Sequence, residues 1–431
     1  MSLVQAKESA LTVRLAALPL PQGGFSRAAR AAALGRLQAM GLPGKRDEYW
    51  RFTDPSALIA AEPTAAAVQD MGDESPLFDG FDRLKMVFVD GVFDPAQSDD
   101  LALAGVEITR LATADAADIH WAQGLYGKLE ESGQSPVARP LAALNTAAAQ
   151  DGVLIRVTGK ASKPVHLIYD HISDTSDVTL HHCIKIEAGA DMTLLESGPA
   201  GARFNNLLEV DVAEGGRFHH IRVQGRDHER RAVTHVFAKV ATDALFKSFT
   251  LTANGALTRN EVVIDIPGDD AVAHVAGAAL GDAAIDPFHH DDTVFMTHQG
   301  LRCESRQVFK KVLKHGAVGV FQGKILVKPG AQKTDGYQIS QALLLDDDSQ
   351  FLAKPELEIY ADDVKCSHGS TTGAIDERAL FYLRSRGVSV DEATALLVLS
   401  FLADAIAEIE DEALQAEIIA RLEAWMARHK R

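Results

Sequence analysis

Hydrophobic and polar residues follow a helical spacing at both ends of the chain and a strand-like alternation between them. Near the N-terminus, Ser26–Met40 combines good helix formers with a serine at the N-cap position, and the GLPG that follows ends the helix. Between Asp54 and Gln150 the pattern mixes a strand at Leu84–Asp90 with Ala/Asp-rich segments that fit either helix or loop. Residues 1–150 are therefore predicted to form a mainly helical N-terminal region.

From Gly152 to about Ser370, short alternating runs separated by Gly, Asp and Asn replace the helical spacing. Similar turn-plus-strand pieces begin 26 or 27 residues apart, at Gly189, Gly215, Thr242 and Gly268. A period of this length, with no helices between the strands, is typical of a β-solenoid, in which each coil covers the next. A β-sandwich gives a similar pattern, so the alternation alone leaves both folds open for residues 151–372. The runs on which this rests include Val153–Val157, Val165–Tyr169, Thr193–Glu196, Val262–Ile266 and Ile325–Val327.

Helical spacing returns at Asp376, in the segment DERALFYLRSRG, which ends at Gly387. Ser389 is placed to cap a helix over Val390–Ile409, and a last helix is predicted over Glu412–Arg428. The helices of residues 373–431 would cover the open edge of the β region, provide a docking surface, or do both. The apolar face predicted for the middle helix consists of Leu396, Leu399, Ala403, Ile406 and Ala407.

Composition and charge narrow the class of protein. Hydrophobic residues make up 46% and charged residues 24% of the chain, an ordinary globular balance. The net charge of −17 disfavours nucleic acids and anionic membranes as partners. The first thirty residues lack the apolar core of a signal peptide, and the apolar stretch Ala393–Ile409 is interrupted by Asp404. Cys183, Cys303 and Cys366 lie far apart, which indicates a reducing compartment, and the cytoplasm is the expected location.

The familiar motifs of nucleotide-dependent enzymes and serine hydrolases are missing from the sequence. It contains no GxGxxG, GxSxG or HExxH. Gly316–Lys324 (GAVGVFQGK) is similar to a P-loop, but six residues separate Gly316 from Gly323, and Ile325 stands where Ser or Thr would contact magnesium. These absences argue against those classes, although not against every enzyme.

Histidines are numerous, and several occur as adjacent pairs. Successive side chains of a strand point to opposite faces, so a His–His pair cannot hold one metal ion from one side. Histidines with one satisfied nitrogen are expected instead. The acidic residues Asp291 and Asp292, like the run Asp346–Asp348, are interpreted as solvated turns. The histidine pairs are His181–His182, His219–His220 and His289–His290.

Cys366 and His368 are the strongest candidates for a metal-binding or nucleophilic site. In an extended chain, residues i and i+2 face the same way, with Cα atoms about 6.5–7 Å apart. A thiolate and an imidazole would then be offered together at one surface, as a ligand pair for iron or an iron–sulfur cluster. His368 would also lower the pKa of Cys366 and make the thiol more nucleophilic. The alternative is that this CxH is structural.

Two stretches of the sequence resemble the SufB/SufD family of the SUF iron–sulfur cluster assembly complex. The first is Gln322–Gly369, which contains QGKILVKPGAQKTDGYQISQALLL and then KPELEIYADDVKCSHG. The second is Gly41–Pro55, GLPGKRDEYWRFTDP. Arg259–Gly277 and Asp291–Gly300 also fit, and the resemblance is weakest across residues 55–150. CSHGSTTG and the low cysteine count favour the SufD branch over the SufB branch.

The resemblance implies a fold, partners and a site. The fold is a right-handed parallel β-helix flanked by helical N- and C-terminal regions. The partners are a SufB-like subunit and a SufC-like ATPase docked on the C-terminal helices, so that the chain is a scaffold and not itself an enzyme. His368, with Cys366 beside it, would lie at the SufB–SufD interface, where His368 acts as a transient metal ligand. The iron–sulfur cluster would be shared with SufB and not bound permanently.

Three alternatives remain open at this point. The chain could be a purely structural interaction module that contributes no ligand, or a SufB-like scaffold that binds the cluster itself. A β-helix enzyme acting on carbohydrates is a third, but the low aromatic content and the missing signal peptide count against it. The sequence also leaves open whether the isolated chain forms a homodimer through the surface meant for SufB, and whether the assembled complex binds a flavin.

Overall fold

The computed structural model describes residues 3–68, 76–226 and 228–429. Within these ranges the chain consists of an N-terminal group of short helices, a long series of strands and three C-terminal helices. The helices are α1 (Leu3–Ala16), α2 (Arg27–Met40), α3 (Ser56–Ile59), α4 (Leu111–Ala114), α5 (Lys128–Ser132), α6 (Pro140–Ala148), α7 (Glu377–Arg384), α8 (Val390–Ile406) and α9 (Glu412–Arg428), with 3₁₀ turns at Glu48–Trp50 and Trp121–Gly124.

The strands form two sheets, and from β4 onward successive strands alternate between them. They are β1 (Leu84–Val89), β2 (Val92–Asp94), β3 (Val106–Arg110), β4 (Val153–Val157), β5 (Val165–Asp170), β6 (Asp177–Ile186), β7 (Asp191–Ser197), β8 (Arg203–Val212), β9 (Arg217–Gly225), β10 (Arg231–Val240), β11 (Leu245–Ala253), β12 (Leu257–Ile266), β13 (Val272–Asp282), β14 (His289–His298), β15 (Glu304–Lys314), β16 (Val318–Val327), β17 (Asp335–Leu344), β18 (Gln350–Ile359) and β19 (Lys365–Gly373).

The β region is a parallel solenoid. Each strand from β6 onward pairs in parallel with the strand two positions before it, so that β8, β10 and β12 are neighbours in one sheet and β9, β11 and β13 in the other. This confirms the solenoid expectation and excludes the sandwich. The turns of the predicted repeat stack on one another, since the Gly189 N–H donates to Glu214 O and the Gly215 N–H to Thr242 O, at 3.0 and 2.9 Å.

The main core lies between the two sheets, in the bore of the solenoid. Alternate side chains of each strand point inward, and the apolar ones form a continuous cluster from Leu84 to Phe321. Outside the bore, α6 packs on β6 and β8 of one sheet, and α8 packs on β13 and β15 of the other. Both faces of most strands are therefore buried, which explains their long hydrophobic runs.

The N-terminal region contains strands as well as helices. β1 extends one sheet by pairing in parallel with β5, and β3 extends the other by pairing antiparallel with β4. Ser26 precedes α2 as expected, but its side chain caps no helical N–H. Its hydroxyl donates to Asp115 instead, at 2.6 Å.

The C-terminal helices differ from expectation in one respect. Ser389 caps α8, as the sequence indicates, and the structure adds a capping box with Glu392. The apolar face is predicted only in part: Ile406 is buried and Leu399 packs against the same cluster, but Leu396 is 51% exposed. Val398, Leu402 and Ala405 complete the buried face instead. The sheet, and not the helix alone, selects this face, because β13 and β15 supply the apolar side chains against which α8 packs. No helix in the described ranges has the length and apolarity needed to cross a membrane.

Candidate functional site

The last coil of the solenoid ends in two edge strands, β18 and β19. β18 pairs with β16 and β19 with β17, and within the described residues neither has a partner on its other side. Their side chains are mostly exposed or half-buried, whereas those of β16 are almost all buried. An unpaired parallel edge offers a row of backbone donors and acceptors to another chain. This end of the solenoid, formed by β18 and β19, is called the open end below.

The structure brings Cys366 and His368 to the same face of β19. In the register with β17, Cys366 stands opposite Gly336 and His368 opposite Gln338. Both β17 residues point inward and are buried, so Cys366 and His368 occupy the next inward-facing positions of the bore. His368 is exposed because no further coil covers it, and it has no hydrogen bond to any residue that the structure describes.

Cys366 is half-buried beside His368 and packs on an apolar cluster. Burial raises the pKa of the Cys366 thiol above its ordinary value, with Asp335 adding to the effect. The side chain is therefore a neutral thiol at neutral pH, contrary to the expectation that His368 lowers its pKa. The cluster beneath it consists of Ile325, Val327, Ala331 and Ala361, flanked by Leu357 and Val364.

The two stretches singled out in the sequence meet near the open end, although about three hundred residues separate them. Tyr49 of the N-terminal stretch donates its hydroxyl hydrogen to Glu356 on β18 at 2.6 Å. Gln322 on β16 donates to the Tyr49 carbonyl at 3.1 Å. The ring of Tyr49 also lies edge-on to Phe295, with centroids 5.1 Å apart. The N-terminal stretch therefore supports the last coils from outside.

The exposed surface of the C-terminal helices is apolar and aromatic in part. No residue of α7 is buried, and its Phe381 and Tyr382 are 73% and 55% exposed. Arg386 lies over the Tyr382 ring at 3.5 Å from its centroid. Leu396 of α8 adds a further exposed apolar side chain. Large exposed apolar side chains grouped on one helical unit are typical of a docking surface.

The histidine pairs divide between the two faces of their strands, as the sequence indicates. His182, His220 and His290 face the bore, where their partners include Tyr169, Glu196 and Lys311. Their neighbours in sequence face outward: His181 contacts Glu209, His219 lies 3.8 Å from Glu410, and His289 contacts Thr53. No pair can therefore hold a single ion.

The interpretation of Asp291 and Asp292 as a solvated turn is wrong. Both residues lie in β14 and are buried. Asp291 pairs with Arg259 on the outer face, and Asp292 receives a hydrogen bond from Lys311 in the bore at 2.5 Å. Adjacent carboxylates on a central strand are stable because each meets a cation on its own side of the sheet.

A buried group of His181, Cys183 and Glu209 has the composition of a metal centre, with possible ligand atoms within 4.8 Å of one another. The Glu209 carboxylate, however, already accepts several hydrogen bonds from the protein. Glu209 accepts backbone N–H bonds at 2.5, 2.8 and 2.9 Å, in addition to 2.9 Å to His181 Nε2. Burial, with Glu209 nearby, raises the pKa of the Cys183 thiol well above its ordinary value. The group therefore secures the start of α5 on the solenoid. The three N–H donors belong to Gly127, Leu129 and Glu130.

Comparison with known proteins places the chain in a family. The family model described as "SUF system FeS cluster assembly, SufBD core domain" matches residues 171–401, which is more than half of the chain. The model described as "SufBD protein N-terminal region" matches residues 24–166. The chain belongs to the SufBD family. The resemblance based on Gln322–Gly369 and Gly41–Pro55 is confirmed. The SufBD core domain covers the solenoid from β6 onward, α7 and most of α8.

Individual relatives agree with this assignment. The chain is 29% identical over 410 residues to the iron–sulfur cluster assembly protein SufD of Escherichia coli (strain K12), covering 90% of each chain. It is 26% identical over 409 residues to an iron–sulfur cluster assembly SufBD family protein of Synechocystis, covering 90% of this chain and 88% of the relative. It is 24% identical over 388 residues to SufD of Bacillus subtilis (strain 168), covering 87% of each. These relatives are named as assembly proteins.

Proposed function

We propose that this SufBD-family chain is a SufD-type scaffold subunit for iron–sulfur cluster assembly. In this proposal the open end pairs with a SufB-like subunit, and His368, with Cys366 beside it, faces a nascent cluster held between the two subunits. The cluster is cargo of the assembly reaction and is shared transiently. The proposal depends on one observation: His368 is exposed, has no partner among the described residues, and lies on an edge strand that another chain can extend.

The chemistry of the two side chains assigns them different parts in the proposal. A neutral imidazole is a good ligand for iron, and His368 is free to turn toward a partner. Cys366 is held as a thiol on an apolar cluster, so it must lose a proton and leave that contact before it can bind a metal. His368 is therefore the principal ligand proposed for this subunit, and Cys366 is its supporting neighbour.

The C-terminal helices supply the second part of the proposal, docking of a SufC-like ATPase. Phe381 and Tyr382 on α7 lie outside the contacts that hold α8 and α9 on the sheet. They are large apolar side chains at the surface, and such side chains become central contacts when a partner buries them. The absence of a P-loop in this chain is compatible with an ATPase supplied by the partner.

Co-purification with SufB-like and SufC-like subunits tests the proposal, with iron and sulfide measured in each complex. His368→Ala should leave the complex intact, because the side chain has no contact within the chain, and should lower iron and sulfide at least several-fold. Ser367→Ala is the matched control, since Ser367 is exposed on the same strand and faces the other way. Normal loading of the His368→Ala complex would remove His368 from the site.

Two further variants in the same experiment separate the alternatives. Cys366→Ser should load nearly normally if His368 is the main ligand, and loss of loading would favour a SufB-like scaffold that binds the cluster through its own cysteine. Replacing Phe381 and Tyr382 with serine should release the SufC-like ATPase and retain the SufB-like subunit. If only this double variant has an effect, the chain is a purely structural interaction module.

A further inference from the structure

A row of basic side chains crosses the outer face of the sheet on which α8 and α9 pack. Each residue of the row stands beside the next in the parallel registers of β9, β11, β13 and β15. The turn between α8 and α9 lies over the row and offers two carboxylates to it, those of Glu408 and Glu410. The turn is therefore attached to the solenoid by opposite charges. The row consists of His219, Lys247, His274 and Arg306.

One half of this attachment uses permanent cations. The Glu410 carboxylate lies 2.8 Å from the Lys247 ammonium and 3.4 Å from the Arg217 guanidinium. His219 lies 3.8 Å from the same carboxylate, but burial lowers the pKa of His219 below its ordinary value, although Glu410 opposes the effect. Because lysine and arginine stay charged near neutral pH, the contacts of Glu410 change little with pH in that range.

The other half depends on His274, whose two ring nitrogens both meet carboxylates. Nδ1 lies 2.9 Å from Glu408 Oε2, and Nε2 lies 3.0 Å from Glu304 Oε1. An ionised carboxylate can only accept a hydrogen bond, so each ring nitrogen must carry a hydrogen to bond its partner. A neutral imidazole has a single N–H. Both bonds can therefore form only when the His274 ring is an imidazolium.

The surroundings of His274 keep these carboxylates charged and the ring away from water. Burial alone would raise the pKa of Glu408, but the hydrogen bond and charge of His274, with the charge of Arg306, outweigh it and lower the pKa below 4.5. Arg306 Nε lies 3.3 Å from the second Glu408 oxygen. The Glu304 side chain is 45% exposed, and a glutamate in contact with water is ordinarily ionised at neutral pH. The His274 side chain is only 10% exposed, so water has little access to a ring nitrogen that loses its bond.

We propose that His274 is a pH-sensitive latch that fastens the turn between α8 and α9 to the solenoid. The imidazolium makes two charge-assisted hydrogen bonds. When the pH rises and the ring loses a proton, one nitrogen presents its lone pair to a carboxylate, and the remaining bond loses the attraction of the positive charge. The turn is then held less tightly, whichever partner the C-terminal helices bind. The charged groups around His274 are Lys247 from β11, Glu304 and Arg306 from β15, and Glu408 and Glu410 from the turn.

The protonation state of His274 tests the proposal directly. In proton–nitrogen correlation spectra of the full-length chain with isotope-labelled histidine, the His274 ring should have the nitrogen shifts of an imidazolium at neutral pH. His274→Gln identifies the signal by removing it. His220 is the internal reference for a neutral ring, because its nitrogens meet the Glu196 carboxylate and the hydroxyl of Ser248, which can donate. A His274 ring with a single N–H at neutral pH would overturn the proposal.

Hydrogen exchange of the backbone N–H groups in the turn tests the consequence for the fold. Their protection, corrected for the intrinsic effect of pH on exchange, should fall several-fold in the wild type between about pH 6 and pH 9. Glu304→Gln should remove most of this fall, because the glutamine amide can donate to a neutral ring.

Glu214→Gln is the matched control for the exchange experiment. Glu214 is exposed, and its side chain has no hydrogen bond or ion pair among the described residues, so this variant should behave as the wild type does. If protection falls equally in the wild type and in Glu304→Gln, His274 is not the latch. The N–H groups to follow are those of Ala407, Glu408 and Ile409, which bond within the end of α8 and the turn.

Discussion

Arg259 illustrates how one side chain can join the N-terminal region to the solenoid. It is buried on the outer face of β12, between the carboxylates of Glu261 and Asp291. The Trp50 ring covers its guanidinium, with 4.1 Å from the Arg259 Cζ to the ring centroid. Thr53 donates to Asp291 at 2.6 Å. Trp50 and Thr53 of the N-terminal stretch therefore both contact one buried ion cluster.

Replacing Arg259 with methionine is expected to destabilise the chain strongly. The change leaves Glu261 and Asp291 buried with less compensation, and breaking one side of a buried ion pair costs about 3–5 kcal/mol. The free energy of unfolding in urea measures the effect, and Arg302→Met, in an exposed pair on a turn, should change it little. If Arg259→Met lowers the free energy of unfolding only slightly, Arg139, which lies 3.9 Å from Glu261, is sufficient to compensate the buried carboxylates.

At this scale the sequence predicts the direction of a side chain better than its partner. The opposite faces of His289 and His290 follow from strand alternation, and the structure agrees. The partners of Asp291 and Arg230 do not follow, because they depend on which residues stand one coil away. Asp291 meets a cation there, whereas Arg230 meets alanines at the equivalent positions. The raised pKa of Cys366 does not follow from the sequence for the same reason. It comes from burial, which depends on how the coil packs Val364 and Leu357 near Cys366 and not on His368.

A single carboxylate at the end of β13 joins the C-terminal end of α9 to the end of β15. Asp282 binds His429, just beyond α9, at 2.7 Å, Lys314 at 3.1 Å and His315 at 2.6 Å. Burial alone would raise the pKa of Asp282, but the hydrogen bonds from His315, His429 and Lys314 outweigh it and hold the pKa at about 2. The ordinary value is 3.8. Asp282 therefore stabilises the folded state above about pH 4, and this contribution is lost as the pH falls towards 2.

The Asp282→Asn variant tests that linkage. Its urea midpoint should lie below that of the wild type at pH 5 and above, and the gap should close as the pH falls from 4 towards 2. Circular dichroism at several pH values measures both midpoints. Asp362→Asn serves as the control for general acid effects, because Asp362 is exposed and its side chain has no hydrogen bond or ion pair among the described residues. A gap that stays constant down to pH 2.5 would show that Asp282 acts through packing and not through its charge.

The sequence predicts where helices and strands begin and end better than it predicts what they pack against. The bounds of α9 and β4 agree with the sequence pattern, and Ser389 is the N-cap of α8 that the sequence predicts. The buried face of α8 is predicted only in part, because a helix with apolar residues nearly all round gives no clear stripe. Only the packing of α8 on β13 and β15 selects Val398 and Leu402 for burial.

The whole molecule is asymmetric along the solenoid axis. At the first end, β2 pairs antiparallel with β1, and β3 pairs antiparallel with β4, so that the first coils are closed by folded-back strands. At the other end, β18 and β19 have no such cover among the described residues. The C-terminal helices that follow pack on the side of the sheet and not across this end. The repeat predicts the stack of coils, but which end stays uncovered depends on where these flanking segments pack.

Pairing through the open end can be tested with one backbone change. The Lys365 N–H donates to Thr334 of the preceding coil at 2.8 Å, so alternation directs the N–H of Ser370 to the free edge. Ser370→Pro removes this donor while keeping the ladder with β17. We expect binding to a SufB-like subunit to weaken at least tenfold in a titration, while the thermal unfolding of the isolated chain changes little. Ser370→Ala, which loses only the hydroxyl contact with Ser340, should bind normally. If Ser370→Pro binds the SufB-like subunit as tightly as the wild type does, the partner uses another surface. If the isolated wild-type chain self-associates and Ser370→Pro does not, the chain uses the same edge to form a homodimer.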